Sequence, residues 1–364
     1  MAPSIAESRQ STFDEPATRY VEGARVPNVI QYGDNPVTVR LSDEELESGE
    51  TRPETIQQLI TYFHRDGLVV LENAIPEHLV DRLYQRMVAD NDIYLKNPFV
   101  QFNQGESTKN VSQVPPLTKE WLSQDFYANK HALRALTYIL GPEPEIRFIN
   151  SNVACPGASP SGRQAVHSDV NHAYPTIPFG IVLNTYLQDS DASNGVTEVW
   201  CGTHSAYDQN WQQATKDIGW ITKEALQDRG KVRPPVQPKV KKGSICFRDL
   251  RLWHAGMPNT SDKHRIMLAI DYFAQWYGCP MLVSLPAAMR KEIEGNWGVS
   301  TKGVEWVEGE VDHLTQPFYL NMSQDPELYM IHTEKGWENE RTRRTGDYTT
   351  HKRVVTDQNY YTPE

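Results

Sequence analysis

Three side chains in this sequence could converge on one metal ion. His167 and Asp169 form a His-x-Asp pair, and His254 lies further along the chain. Two imidazoles and one carboxylate on one face of a divalent iron leave the opposite face open for a co-substrate and dioxygen, which is the donor set of non-haem iron oxygenases. In a strand, residues i and i+2 point to the same side, so His-x-Asp on a strand supplies two ligands at once. The preceding Arg163-Gln164-Ala165-Val166 reads as strand-like. The motif by itself is weak: with 11 histidines and 47 acidic residues in 364, chance supplies roughly one such pair. Two others occur. His64-Arg65-Asp66 falls at the end of a helical segment, where residues i and i+2 diverge by about 200°, and it reads as a solvated helix terminus. His332-Thr333-Glu334 lies in a charged stretch and reads as surface.

The company of His254 raises the first pair above the others. His254 follows GSICFRDLRLW, a strand signal, and precedes the turn AGMPNTSDK. Arg265 then opens the apolar strand RIMLAIDYF, where its planar guanidinium can face the same space and pair with a carboxylate. Trp253 and Trp276 flank this region and read as core or rim packing. Alternation places Arg248 with Leu250 on one face and Asp249 with Arg251 on the other, so Asp249–Arg251 is either a structural pair or a substrate-carboxylate site. Asn150, Asn152 and Asn184 lie among apolar strand residues, and buried amides need partners. Asn152 is the one read as lining a polar cavity.

The elements that must position these groups follow from periodicity. Pro53 opens a helix carrying Ile56, Leu59, Ile60 and Phe63, ended by Gly67; GLVVLEN is a strand; Pro76 opens a second helix; a third covers about 125–140, ending at Gly141-Pro142. From 145 onward the runs IRFINSNVAC, FGIVLNTYLQD, VTEVW, GSICFRD and RIMLAIDYFAQW are β-rich and separated by turn residues. A helical stretch near 207–228 and VRPPVQP interrupt them. Helices followed by a run of strands predict a mainly β fold with packed helices, a β-sandwich or jelly roll. Residues 1–50 are read as an N-terminal arm or strap, 51–330 as one catalytic domain and 331–364 as a polar C-terminal tail. The tail reads either as a surface segment or as a dimer arm; a monomer by light scattering would refute the homodimer.

Composition narrows the partners. The net charge is −11 and no basic block stands out, which speaks against nucleic acid and anionic membrane and for a small-molecule substrate. No apolar run approaches the roughly 18 residues of a membrane span, and MAPSIAESRQ lacks the apolar core of a secretory signal. Cys155, Cys201, Cys246 and Cys279 form no C-x-x-C pair and read as reduced thiols of a cytoplasmic protein. No G-x-S-x-G, P-loop or dinucleotide fingerprint supports another chemistry.

Taken together, FHRDGLVVLENAIPEHLVDRL, NVSQVPP, RQAVHSD, NGVTEVWCGTH, GSICFRDLRLWHAGMPN and HRIMLAIDYFAQW resemble the phytanoyl-CoA dioxygenase superfamily, in particular its fungal secondary-metabolism branch, over roughly residues 54–277. The resemblance implies a double-stranded β-helix (the cupin-like jelly roll), Fe(II), 2-oxoglutarate as co-substrate and O2. Position by position it implies His167, Asp169 and His254 as iron ligands and Arg265 as the anchor of 2-oxoglutarate. It implies Thr197, Gln164 and Gln113 as further polar contacts of the co-substrate. Thr197 has the alternative of an ordinary strand residue, and Gln164 that of satisfying backbone groups. WCGTH stands where the family has a Pro-Gly-Ser-His-like turn; it is expected to lie away from the ligands, as a changed turn. His204 and His172 are expected to be structural. Two rival readings remain at this point. A non-oxidative cupin-type metalloenzyme would work without 2-oxoglutarate or oxygen, and a non-catalytic binding protein would never decarboxylate 2-oxoglutarate.

Overall fold

The computed structural model describes residues 29–30, 35–96, 100, 102–207, 209–212, 219–314 and 322. The strands in chain order are β1 (Val29–Ile30), β2 (Thr38–Arg40), β3 (Leu68–Glu72), β4 (Asn110–Ser112), β5 (Glu145–Ala154), β6 (His167–Ser168), β7 (Gly180–Tyr186), β8 (Glu198–Val199), β9 (Gly219–Trp220), β10 (Ile245–Asp249), β11 (His254–Ala255), β12 (Arg265–Phe273), β13 (Val283–Pro286) and β14 (Val304–Val307). The α-helices are α1 (Asp43–Ser48), α2 (Pro53–Asp66), α3 (Glu77–Tyr94), α4 (Gln124–Tyr127), α5 (Lys130–Leu140), α6 (Thr203–Ala206), α7 (Lys223–Val232) and α8 (Arg290–Asn296).

A large sheet has the order β1-β2-β3-β10-β7-β12-β5-β4, and a smaller one β8-β11-β6-β9. From β5 onward the chain alternates between them and then returns on itself. The first strand of the series, β5, pairs with the last, β12; β6 pairs with β11; β7 pairs with β10. Near the turn-round, Val199 of β8 bridges to Val236. An antiparallel ribbon wound in this way is the double-stranded β-helix, as the strand series predicts.

The large sheet is covered on both sides, which is why β7, β10 and β12 are buried at every position. On one face, Ile149, Val153, Ile181, Leu183, Phe247, Ile266, Leu268 and Ile270 pack with Leu59 and Phe63 of α2, Leu83 and Met87 of α3 and Leu136 of α5 in the largest core. Pro53 starts α2, and Gly67, at φ 73°, ends it by donating its N–H to the Phe63 carbonyl. That left-handed geometry favours glycine. Residues of opposite parity face the small sheet. There they form two apolar clusters, one around Leu68, Val70, Tyr186, Val199, Cys246 and Met267, the other around Phe148, Phe179, Val182 and Phe273. Between the two clusters lies a polar band, and the triad belongs to it.

Four expectations change. Of the alternatives arm and strap, residues 37–48 do not trail as an arm but are built into the domain: β2 pairs parallel to β3, and Val37, Val39 and Leu41 are buried in the helix-facing core. The stretch 207–228 is helical only from Lys223 on; before that come a short 3-10 turn at Gln209–Trp211 and strand β9. Arg163–Val166 is not a strand; β6 begins at His167 itself. WCGTH is remote from the ligands in sequence but adjacent in space: β8 pairs with β11, and the Trp253 N–H donates to Thr203 Oγ1 at 3.0 Å. The expected tail at 331–364 and the His332/Glu334 pair lie outside the described residues. Among the described residues no helix is long and apolar enough to cross a membrane. All four cysteines are buried, and burial raises their thiols to about 11 for Cys155 and about 12 for the other three.

Candidate metal and co-substrate site

His167 and His254 are direct cross-strand partners of the β6–β11 pair, which brings two histidines distant in sequence side by side. Asp169 follows β6 with the same parity as His167 and fixes its backbone by donating its N–H to the Leu250 carbonyl at 3.0 Å. The three donor atoms lie within 4.8 Å of one another. Asp169 Oδ1 is 3.9 Å from His167 Nε2 and 3.6 Å from His254 Nε2. Both imidazoles are oriented from behind. Nδ1 of His167 is 2.9 Å from the Ala165 carbonyl oxygen, and Nδ1 of His254 is 2.9 Å from that of Leu252. A carbonyl only accepts, so each Nδ1 carries the proton and each Nε2 lone pair faces the carboxylate. Burial lowers both imidazole pKa values, His254 the more, so the lone pairs are free at neutral pH. This donor set fits a single Fe(II) ion with one face left open.

Two residues that sequence reasoning missed complete this arrangement. Arg248 NH1 donates to Asp169 Oδ2 at 2.6 Å, and its Nε donates to Asn184 Oδ1 at 3.2 Å. Burial opposes ionisation of Asp169, but the Arg248 guanidinium together with His254 and His167 outweighs it and holds the carboxyl down at about 2. With Oδ2 occupied, Oδ1 is the atom presented to a metal. Gln104 braces the segment behind His167: its Oε1 accepts the Ala165 N–H at 2.9 Å. The backbone of Gln104 is left-handed, at φ 60°, a strained conformation maintained next to the ligand. Arg248→Met is expected to lower iron affinity by about 10- to 100-fold, read as retained metal after dialysis; unchanged retention would show that Asp169 needs no such restraint.

Arg265, at the start of β12, is 1 % exposed. NH1 donates to the Asn152 carbonyl at 3.2 Å, Nε has no partner, and among the described residues no carboxylate pairs with it. A guanidinium stays charged, so this is a buried positive charge without its counter-ion. Tyr186 on β7 is close enough to interact with Arg265 electrostatically, and its hydroxyl donates to Thr197 Oγ1 at 3.3 Å. Thr197 is thus brought into the Arg265 neighbourhood, and Tyr186 is a third member that the sequence did not single out. This cluster fits the far carboxylate of a dicarboxylate such as 2-oxoglutarate.

The other two amides go elsewhere. Gln113 faces the helix layer: Asn91 Nδ2 donates to its Oε1 at 2.8 Å, and its Nε2 donates to the Met87 carbonyl at 3.1 Å. It has the parity of Val111 and Val153, which belong to the helix-facing core, so the expected co-substrate contact is corrected to a sheet–helix tie. Gln164 does what its alternative reading said. Its Oε1 accepts from the Gly256 N–H at 2.7 Å and its Nε2 donates to the Asn103 carbonyl at 3.2 Å. This staples the turn after His254, and a Cβ on Gly256 would meet the amide at 2.5 Å.

The remaining conspicuous residues are structural. Arg251 grips Asp249 through two bonds of 2.8 and 2.7 Å and reaches the Pro175 and Thr176 carbonyls. Breaking it by Arg251→Leu strands a buried carboxylate and should cost about 3–5 kcal/mol of stability in urea unfolding; a loss under 1 kcal/mol would contradict the structural role. His172 contacts the Tyr277 hydroxyl at 3.0 Å, and burial lowers it to about 4. His204 lies against the His64 carbonyl at 3.1 Å. Asp66 is fully buried between Arg65 and Arg233, at 2.6 and 2.8 Å, rather than solvated. Trp253 packs under the small sheet with Trp200 and Leu226, and Trp276 is 52 % exposed.

The profile of the family described as phytanoyl-CoA dioxygenase (PhyH) matches residues 63–267, more than half of the chain. The chain belongs to the phytanoyl-CoA dioxygenase family. The matched span holds all three donor residues and Arg265. Among solved structures, the chain is similar to the epimerase SnoN, solved with Fe3+, alpha ketoglutarate and nogalamycin RO, at 16 % identity over 61 % of this chain and 84 % of that one, with a TM-score of 0.47. It is also similar to EctD from S. alaskensis, solved with 2-oxoglutarate and 5-hydroxyectoine, at 17 % identity over 69 % and 87 %, TM-score 0.49. A third similar structure is AviO1 from Streptomyces viridochromogenes, at 19 % identity over 62 % and 97 %, TM-score 0.44.

Proposed function

We propose that this family member is a non-haem Fe(II)/2-oxoglutarate-dependent dioxygenase that oxidises a C–H bond of a small molecule. The observation that carries the reading is the pairing of a converging His-Asp-His set with a buried guanidinium lacking any carboxylate among the described residues. His167, Asp169 and His254 would hold the iron, and Arg265, with Tyr186 and Thr197, would hold the far carboxylate of 2-oxoglutarate. Bound together, iron, 2-oxoglutarate and O2 supply an oxidant for hydroxylation, desaturation or oxidative cyclisation, with release of succinate and CO2.

The protein's own contribution is placement. Ala165 and Leu252 set the tautomer of both imidazoles, Arg248 fixes which oxygen Asp169 presents, and the two apolar clusters flanking the polar band exclude water. The substrate is a biosynthetic intermediate or an amino-acid-like compound, in keeping with a cytoplasmic enzyme of the fungal secondary-metabolism branch that the sequence resembles. A test is to load the protein anaerobically with Fe(II) and 2-oxoglutarate, pulse oxygen against a metabolite panel, and read succinate with product mass. Substrate-dependent succinate and a product shifted by an oxygen atom or two hydrogens are expected. Turnover without 2-oxoglutarate or oxygen would favour a non-oxidative metalloenzyme instead.

A further inference from the structure

We propose that Asp271 is a substrate-specificity residue that receives a protonated amine of the molecule oxidised at the triad. The proposal rests on the oxygenase reading and narrows its substrate to amine-bearing compounds.

Asp271 lies on β12, downstream of Arg265 on the same face. Its neighbours of equal parity, Ala269 and Phe273, belong to the apolar cluster between the sheets, whereas Ile270 and Tyr272 belong to the helix-facing core. The side chain therefore faces the space into which the triad and Arg265 project. It is 1 % exposed, and neither carboxylate oxygen has a hydrogen-bond partner. Its row across the sheet is Phe148, Asp271, Val182 and Arg248. Arg248 makes no hydrogen bond to it: NH1 is engaged with Asp169 and Nε with Asn184, and its charge reaches Asp271 only at a distance. The β5–β12 register shifts between Asp271 and Tyr272, and such irregularities re-aim side chains beside active sites. Burial, reinforced by the charge of Asp169, raises its pKa well above the usual carboxyl value, with Arg248 opposing.

A buried carboxyl with no donor opposes folding, so its presence calls for a ligand. A hydroxyl would donate to one oxygen and bring no charge to offset the ionisation that burial disfavours. An ammonium offers three donors and the opposite charge. The surroundings suit a cation as well. Phe148 stands directly opposite, Phe273 is two residues on, and Phe179 and Tyr277 stack in the same cluster at 4.3 Å. Aromatic faces attract cations, most strongly where water is excluded.

The test compares the full-length wild type with Asp271→Asn and Asp271→Leu, each loaded with Fe(II) and 2-oxoglutarate. The probes are free L-amino acids and linear primary amines, each paired with its N-acetyl derivative. The wild type should form succinate faster with at least one free amine than with its acetylated partner. Asp271→Asn should raise the KM for that amine by about 10- to 100-fold, with unchanged affinity for 2-oxoglutarate in the visible charge-transfer band of its iron chelate. Asp271→Leu, without metal or ligand, should melt about 2–4 °C above wild type, since a group placed for a ligand rather than for the fold is dispensable to stability. Equal response to free and acetylated probes, response to neither, or a lower Tm for Asp271→Leu would overturn the proposal. A wild type that never develops the band would remove the oxygenase reading itself and this inference with it.

Discussion

Replacing His254 with alanine is expected to abolish both iron retention and substrate-dependent succinate formation while leaving the circular dichroism spectrum unchanged. His254 is one of two imidazoles whose Nε2 lone pairs face Asp169 Oδ1, and its orientation is fixed by the Leu252 carbonyl. Removing it leaves a two-point site, which holds a labile divalent ion poorly. The loss should be about 1,000-fold or more, given that removing an outer hydrogen-bond partner alone costs about 10- to 100-fold. His172 and His204 serve as controls: both are engaged with groups away from the triad, and their replacement should leave iron stoichiometry near one per chain. Full iron retention and turnover in His254→Ala would place the metal elsewhere.

The second large effect is expected at Arg265. Truncating one partner of a buried charge pair costs about 2–5 kcal/mol of binding, or about 30- to 1,000-fold in affinity. Arg265→Met should therefore weaken 2-oxoglutarate binding by that range, measured as Kd by titration calorimetry on the iron-loaded, oxygen-free protein. Arg265→Lys should recover little, because an ammonium cannot reproduce the planar fork. A second consequence separates this role from a structural one. Among the described residues Arg265 makes one hydrogen bond and no ion pair, so Arg265→Met should leave the Tm of the free protein unchanged or raised. A strong drop in Tm together with unaltered 2-oxoglutarate affinity would make Arg265 a structural residue.

The parts of this architecture that were legible from sequence are those carried by periodicity. The alternating runs from 145 onward gave the strands of the wound ribbon, and Pro53, Gly67, Pro76 and Gly141 marked helix ends. His254 and Arg265 are legible because they attach to the strong strand signals GSICFRDLRLW and RIMLAIDYF, whereas His167 and Asp169 are legible only through their two-residue spacing, since the strand expected before them begins at His167 itself. The errors arose where parity or tertiary pairing decides. Gln113 is polar and near the right segments, but its strand parity turns it to α3. Arg248 was placed correctly on a face by alternation, yet nothing local says that this face meets Asp169, because the contact is made across sheets. Gln104 sits in an aperiodic loop, and its left-handed backbone has no glycine to announce it. Asp271 is hidden in an apolar strand where a single acid reads as noise until its missing partners are seen. Residues 37–48 read as an arm or strap because a three-residue strand beside a six-residue helix leaves too little periodicity to detect.

The central claim is that His167, Asp169 and His254 hold one iron ion with 2-oxoglutarate chelated beside it under the grip of Arg265. The most direct measurement is an anaerobic titration of the wild type with Fe(II) and then 2-oxoglutarate, followed by its visible charge-transfer absorption. One iron and one 2-oxoglutarate per chain are predicted, with the band lost in His254→Ala and shifted to higher 2-oxoglutarate concentration in Arg265→Met. No band in the wild type, or the same band at the same concentrations in all three proteins, would contradict it.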